Sequence, residues 1–372
     1  MTLHSDLKRV VEQRELLSRA QARALLDDVL AGSTETSSFE VTQPDSARTL
    51  QLAALLGAIG ARGETAAELA GFADAMLSAA VPLPLTDAER DQLVDTCGTG
   101  GDNTGTFNIS TAAALVAAAA GATAGASMMV AKHGNRAVTS KSGSADVLEA
   151  LGIPISLSPA EGADSLRAHR FAFLHAPSLH PAMKAVMPVR RALGVRTVFN
   201  VLGPLANPAG ARAQVMGVFS AHLVPIVAEA MCLLGTRHAF VVHGALHHSA
   251  HNAGIDELSI SGPSQVAEVR GDAVTFYQLT PEQVGLTTAP IESLRGGDAA
   301  TNAAILRAIF AGESGPRRDV VLLNAAAVLI ASGVVPTETS DSHAAFRSAI
   351  TLAARAIDSG SVAKLISELA AK

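Results

Sequence analysis

Only two cysteines, Cys97 and Cys232, occur in 372 residues, too few for a disulfide framework or a thiolate zinc cage. That scarcity fits a reducing cytoplasm. An excess of positive charge is missing too. Lys and Arg total 28 against 34 Asp and Glu, a net charge of -6. Such a surface offers no electrostatic footprint for nucleic acid or an anionic membrane, so an anionic ligand must be caught by a local arrangement. The opening MTLHSDLKRVVEQRE lacks the apolar core of a signal peptide and is too acidic for a transit peptide. One stretch, Phe107 to Ala131, carries no charge, but it is almost without Leu and Ile and is interrupted by Gly121 and Gly125. Ala, Gly, Ser and Thr drive membrane insertion weakly, so it reads as a helix buried all round. There is no Gly-Lys-Ser/Thr of a Walker A loop, no G-x-S-x-G elbow and no HExxH.

What is present falls into two parts. The first ninety residues or so read as short helices. Ser18 to Gln21 and Thr65 to Glu68 are capping boxes. Ala22, Leu25, Leu26, Val29 and Leu30, then Leu52, Leu55, Leu56 and Ile59, then Leu69, Phe72, Ala73 and Met76 recur at helical spacing. A polar stretch from Ser33 to Ser46 reads as a loop. From Leu93 onward short apolar runs alternate with helical patterns. Strands are expected at 93–95, 153–155, 171–174, 215–219 and 239–242, with a hairpin at 266–269 and 274–277. Helices are expected at 110–120, 144–151, 159–169 and 222–234. This predicts an α/β fold with a largely parallel central sheet, preceded by a small all-helical domain.

Three clusters carry chemistry. Gly98, Gly100, Gly101 and Asp102 leave a predicted strand and lead to Asn108, Ile109, Ser110 and Thr111 at a helix start. Glycines let backbone N–H groups approach an anion, and a helix N-terminus adds unpaired donors, so the segment suits a diphosphate. It is not a Rossmann fingerprint, because Asn103 stands where the third glycine belongs. The second cluster runs from Lys132 through His133, Gly134, Asn135 and Arg136 to Thr139, Ser140, Lys141 and Ser144. The third is Asp256-Glu257, a pair suited to Mg²⁺, which takes one or two carboxylates plus water and ligand phosphates. His180-Pro-Ala-Met-Lys184 and Pro188-Val-Arg190-Arg191 add a guanidinium able to grip a carboxylate with two prongs. An Asp-Glu pair or a basic helix alone is commonly solvated surface. His243, His247, His248 and His251 read better as loop than as metal ligands.

Eight motifs stand in one order: GTGGD at 98–102, NIST at 108–111, KHGNR at 132–136, SKSGSAD at 140–146, HPAMK at 180–184, VRRALG at 189–194, FNVLGPLANP at 199–208 and DELS at 256–259. Together they resemble the anthranilate phosphoribosyltransferase family of tryptophan biosynthesis, over most of the chain. The resemblance implies a small helical domain at 1–92, joined by a returning segment near 178–205, and a phosphoribosyl-diphosphate-binding α/β domain at 93–372. It implies hinges between them, a homodimer, and room for contact with other subunits of the pathway. By resemblance, phosphoribosyl diphosphate falls to Gly98, Gly101, Asp102, Thr106, Asn108, Ile109, Ser110, Thr111 and Lys132, to the loop His133, Gly134, Asn135, Arg136, Ala137, Val138, Thr139, Ser140, and to Ser144. Anthranilate falls to Gly98, Asn135 and Arg190. Magnesium, as two ions per subunit, falls to Ser110, Asp256 and Glu257, and the catalytic roles to Lys132, Arg190, Asp256 and Glu257.

The implied reaction breaks the ribose C1–diphosphate bond while a neutral arylamine attacks C1. No strong base is needed, so positioning and neutralisation of the leaving diphosphate carry the rate. The loop at 33–46 and the segments around 122–129 and 247–253 are longer than the family pattern, and the latter two flank site motifs. Pyrimidine-type nucleoside phosphorylases share the general architecture but should lack both KHGNR and the Asp-Glu pair. A nucleic-acid-binding relative should be basic with degraded phosphate motifs. Fusion to a glutamine amidotransferase is not expected at this length.

Overall fold

The structure, a computed structural model, describes residues 3–31, 47–137, 141–246, 254–336 and 342–371. Four helices open the chain: α1 (Leu3–Val11), α2 (Arg19–Ala31), α3 (Ala47–Arg62) and α4 (Ala66–Ser78). Their apolar stripes are the ones the spacing predicts, and every residue of them is buried. Both capping boxes form. Ser18 N donates to Gln21 Oε1 at 2.8 Å and Gln21 N returns to Ser18 Oγ at 3.3 Å. Thr65 caps α4 with Glu68 in the same reciprocal way. Glu68 is fully buried and also accepts from Leu17 N at 2.9 Å and Arg62 at 2.6 Å, pinning the α1–α2 connection to α4. The polar loop expected at 33–46 lies outside the described residues.

The chain comes back to these helices after the third strand, as short helices at Ala176–Leu179, Met187–Leu193 and Phe199–Leu205 with a 3-10 turn at Pro181–Ala185. Val186, Val189, Val198, Phe199, Val201 and Leu202 share one core with Leu25, Leu55, Leu69 and Phe72. Gly194, at φ 62°, closes the middle helix in the left-handed conformation that glycine adopts without strain.

The remainder is an eight-stranded sheet: β1 (Leu93–Gly98), β2 (Met129–Gly134), β3 (Phe171–His175), β4 (Ala213–Gly217), β5 (His238–Ala245), β6 (Gly254–Ile255), β7 (Ser264–Arg270) and β8 (Ala273–Leu279). Its order is β3-β2-β1-β4-β5-β7-β8, with β6 antiparallel on the end of β5. The first five strands are parallel and the β7–β8 hairpin is antiparallel. Strands β1, β2 and β4 are buried along almost their whole length, as a parallel sheet covered on both faces requires. On one face pack the helices Ile109–Thr123 and Pro316–Ala331. On the other the helix Leu223–Leu233 continues the core of the helical part.

The charge-free stretch divides into the buried helix Ile109–Thr123, a short turn and β2. Among the described residues no helix is long and apolar enough to cross a membrane. One expectation fails. Residues 153–155 do not form a strand; Ile153 and Ile155 bury their side chains from an irregular segment outside the sheet. Pro154 between them has no N–H for a ladder.

Topology now locates the site. The chain runs from β1 outward through β2 and β3, then reappears as β4 on the other side of β1. A crevice at the carboxyl ends of β1 and β4 is where an open α/β sheet takes a ligand.

Candidate functional site

The crevice is lined by the residues the motifs single out. Gly98 and Gly217 end β1 and β4 as register partners. Asp256 lies directly on them. A Cβ at Gly217 would stand 1.6 Å from the Asp256 carbonyl oxygen, and one at Gly98 would stand 2.1 Å from Asp256 Oδ2. Both positions are glycine because the loop after β6 presses its acid into the strand ends. The loop beyond Gly98 turns through left-handed conformations at Gly100, Gly101, Asn103 and Gly105 (φ 70°, 81°, 60° and 69°). Asn tolerates that region better than most side chains, which explains its place among glycines. Gly100 N donates to Asp256 Oδ2 at 2.6 Å.

Glu257 is anchored on the neighbouring element. The helix Ile109–Thr123 begins beside the crevice, and Ser110 N donates to Glu257 Oε1 at 3.0 Å, filling one of the unpaired donors of that terminus. Lys132 reaches the same place from β2. Only 1% exposed, it donates from Nζ to Thr96 O at 2.7 Å and to Ser110 Oγ at 3.3 Å. Ile109 and Thr111 are buried, and the Ile109 N–H is already spent on Phe107 O at 2.8 Å. Asp102 stands in the same cluster, held by Thr104 and close enough for its charge to act on Asp256.

The electrostatics show what this cluster lacks. Burial, then repulsion from Asp102 and Glu257, drives the Asp256 carboxyl well above its ordinary range. Burial raises Glu257 as well, against the opposing pull of Lys132 and Ser110. Three half-buried carboxylic acids around one buried ammonium are short of positive charge. Hard oxygens from a carboxylate pair are the donors Mg²⁺ prefers when ligand phosphates complete its shell. Among the described residues no three His, Cys, Asp or Glu side chains form a metal group of their own.

The KHGNR segment follows β2 out of the sheet. His133 N donates to Asp95 Oδ1 at 3.1 Å, and the His133 ring packs 5.1 Å from that of His180. Burial, then the neighbouring His180, pushes His133 down to about 3; burial lifts Asp95 to about 6. Gly134 lies under Ser144 Oγ and Phe173, where a Cβ would collide at 2.3 Å and 2.8 Å. Asn135 O accepts from Ser144 Oγ at 3.2 Å, and Asn135 Oδ1 from Arg136 N at 2.7 Å. Arg136 does not point into the crevice: it pairs with Asp146 and Glu149 of the helix Ser144–Ala150, and Ala137 N caps Asp146 at 2.9 Å. Val138, Thr139 and Ser140 lie outside the described residues, as do His247, His248 and His251. His243 is buried, with Nδ1 2.8 Å from the Val218 carbonyl. Cys97 is buried against Asp95 and Gln214, and its thiol is pushed well up by burial, so it is no nucleophile.

Arg190 sits on the returning segment. Half-buried, it stacks 5.5 Å over Phe199 and has no carboxylate partner among the described residues. Burial alone lowers its pKa. A guanidinium so placed is available to an incoming carboxylate. Three contributors escape the sequence reading. Gly217 is one. Asn302, buried, fixes Asn108 by donating to its Oδ1 at 2.8 Å. Arg196, lying between two of the motifs, reaches the glycine loop.

The sequence matches the helical bundle domain of the glycosyl transferase family over residues 7–80 and its a/b domain over 90–363. An anthranilate phosphoribosyltransferase of Symbiobacterium thermophilum is 45% identical over 98% of this chain and 95% of its own length. The crystal structure of an anthranilate phosphoribosyltransferase from Thermus thermophilus superposes with TM-score 0.82 at 41% identity, covering 98% of both chains. The Saccharomyces cerevisiae enzyme, solved in complex with PRPP and Mg, gives 0.81 at 28% identity, covering 99% of this chain and 96% of its own.

Proposed function

The chain belongs to the anthranilate phosphoribosyltransferase family of glycosyl transferases, and from that premise we propose that it transfers the phosphoribosyl group of 5-phosphoribosyl 1-diphosphate to the amine of anthranilate, releasing diphosphate. The observation carrying this reading is the convergence of Asp256 on Gly100 N, Glu257 on Ser110 N and Lys132 on Ser110 Oγ at the sheet's switch point. A solved structure of the yeast enzyme in complex with 4-fluoroanthranilate, 26% identical to this chain, bears on the second substrate.

The division of labour follows from placement. The amides of the glycine loop, with Gly98, Gly101, Asp102, Thr106, Asn108 and the start of the helix Ile109–Thr123, receive the sugar diphosphate. Lys132 lies behind them and offsets the charge that builds on the departing diphosphate. Asn135, Ser144 and the residues between them are assigned to the phosphates. Asp256, Glu257 and Ser110 would hold magnesium, as two ions, which when bound screens the diphosphate and makes it a better leaving group. Arg190 takes the carboxylate of anthranilate and turns its amine toward C1. The amine is neutral at pH 7, so the chain supplies orientation rather than a base.

Arg190 rides on the returning segment and the phosphate loops on the sheet, so the division of 1–92 with the segment near 178–205 against the rest of 93–372 makes closure of the two parts complete the site. The protein works as a cytoplasmic homodimer in tryptophan biosynthesis; two free thiols suit that compartment. The test follows the loss of anthranilate fluorescence with phosphoribosyl diphosphate and Mg²⁺, with and without EDTA. Loss requiring both the sugar diphosphate and the metal is the expected result. No loss with folded protein would remove the assignment and favour nucleosides with inorganic phosphate as substrates.

A further inference from the structure

Arg196 lies in the five-residue link between the helices Met187–Leu193 and Phe199–Leu205, six residues beyond Arg190. Its backbone rests on the helical part: the Arg196 carbonyl is 3.5 Å from where a Cβ of Gly60 in α3 would be. Its side chain crosses to the sheet. There Nη2 donates to the carbonyl oxygen of Gly101, and Nε lies 3.4 Å from where a Cβ of Gly101 would be. The guanidinium stacks 4.3 Å over the Phe219 ring. Phe219 is itself tied to the loop, its N–H donating to Thr99 Oγ1 at 3.0 Å, while Thr99 N donates to Gly217 O at 2.9 Å. One side chain thus joins the helical part, the glycine loop and the end of β4.

The choice of Gly101 as partner matters. A peptide unit is planar and trans, so fixing the direction of the Gly101 carbonyl fixes the opposite direction of the Asp102 N–H. A flip of that unit turns ψ of Gly101 and φ of Asp102, and Gly101, lacking a Cβ, opposes its share of the rotation weakly. A flip would turn a donor of the anion cradle into an acceptor facing phosphate oxygens. The donor that prevents it comes from the segment that carries Arg190.

We propose that Arg196 is a positioning residue that holds the 101–102 peptide in its anion-binding orientation only while the helical part is seated against the sheet, so that closure over the aromatic acid also shapes the diphosphate site. This rests on the phosphoribosyl-transfer reading. Arg196 is exposed at the rim and is assigned no contact with either substrate.

The experiment measures binding of phosphoribosyl diphosphate with Mg²⁺ by calorimetry, together with KM for both substrates, in the parent, Arg196→Ala, Arg196→Lys and Phe219→Leu. In Arg196→Ala, loss of one charge-assisted hydrogen bond should weaken phosphoribosyl diphosphate about tenfold or more. KM for anthranilate at saturating sugar diphosphate should stay within about twofold, since Arg190 is untouched. Arg196→Lys should recover part of the affinity, because a lysine can still donate to Gly101. Phe219→Leu, which keeps the hydrogen bond and loses the stacking, should cost only about two- to fivefold. Unchanged affinity for the sugar diphosphate in Arg196→Ala, with or without a lower Tm, would overturn the proposal. So would an effect confined to KM for anthranilate, which would move Arg196 into the amine site. Failure of the parent itself to bind the sugar diphosphate would instead defeat the reading on which the proposal stands, and the proposal with it.

Discussion

Replacing Gly217 by alanine tests whether the Asp256–Glu257 pair is held by the shape of the strand ends. The new Cβ would lie 1.6 Å from the Asp256 carbonyl oxygen and 2.2 Å from its carbonyl carbon, both backbone atoms that no rotamer change can move aside. Cβ contacts below 3.0 Å are essentially never found, so the segment must back away by about 1.4 Å or more, and a misplacement of ~1 Å near reacting groups can cost about a hundredfold in rate. That displacement breaks the anchor from Gly100 N, now 2.6 Å, and strains the one from Ser110 N, now 3.0 Å. Both carboxylates move together because they are adjacent.

The expected result is a fall in kcat/KM of about a hundredfold or more, a magnesium titration shifted to higher concentration, and a stability loss of ~1–3 kcal/mol from overpacking. Gly57→Ala is the control. That glycine is half-buried in α3 with nothing within 4 Å of a new Cβ, so activity should persist and stability should rise by about 0.5–1 kcal/mol. If Gly217→Ala fails to fold, Gly98→Ala applies a gentler form of the same push. Its Cβ meets the Asp256 carboxylate at 2.1 Å, and that side chain can rotate away. A Gly217→Ala enzyme with the parent's rate and the parent's magnesium dependence would refute the reasoning.

Lys132→Met keeps the stem and removes the ammonium that reaches Thr96 O and Ser110 Oγ; kcat should fall by about 10²–10³, as for loss of a preorganised charge stabiliser, and initial rates read it. Arg190→Ala should raise KM for anthranilate about ten- to a hundredfold while leaving KM for the sugar diphosphate near the parent's, and Arg190→Lys should recover little because the two-pronged geometry is lost. Asp95 and His133 should pull stability in opposite directions as pH changes. Asp95, raised to about 6, binds a proton in the folded state before the unfolded one does, so its contribution to stability grows as pH falls from 6 toward 4. His133, lowered to about 3, is protonated in the unfolded state first, so its contribution shrinks as pH falls below its ordinary value. Asp95→Asn removes the first slope alone: relative to the parent, its stability should drop by on the order of 3 kcal/mol between pH 6.5 and 4, and parallel Tm curves would contradict this.

How much of this was legible in the sequence depends on the range of the contact involved. The apolar stripes of α2, α3 and α4, the two capping boxes, the strands at 93, 171, 215 and 239 and the 266–277 hairpin depend on neighbours a few residues apart, and local spacing found them. The sequence at 153–155 misled because alternating burial is all that periodicity reports. An irregular segment that hides Ile153 and Ile155 outside the sheet has the same pattern as a strand. In the site, Gly98, Gly101, Asp102, Ser110, Lys132, Asp256 and Glu257 announced themselves as chemistry, and the fold brings them to one crevice. Arg136 announced itself equally as a cation, yet it is held by Asp146 and Glu149, partners that spacing could not assign to it.

Gly217 and Arg196 were silent for a deeper reason. A glycine in an apolar strand and an arginine in a short link each have an ordinary local explanation. Their roles exist only because residues 98, 217 and 256 meet at one point and residues 60, 101, 196 and 219 at another. Such meetings are properties of the switch-point topology, which puts β4 beside β1 and returns the chain to the helical part just before it does so. The same crossing that builds the crevice therefore also delivers the segment carrying Arg190 and Arg196 to its rim. A substrate clamp and a loop support on one short stretch of chain need no signal at a distance to act together, since any movement of that stretch moves both.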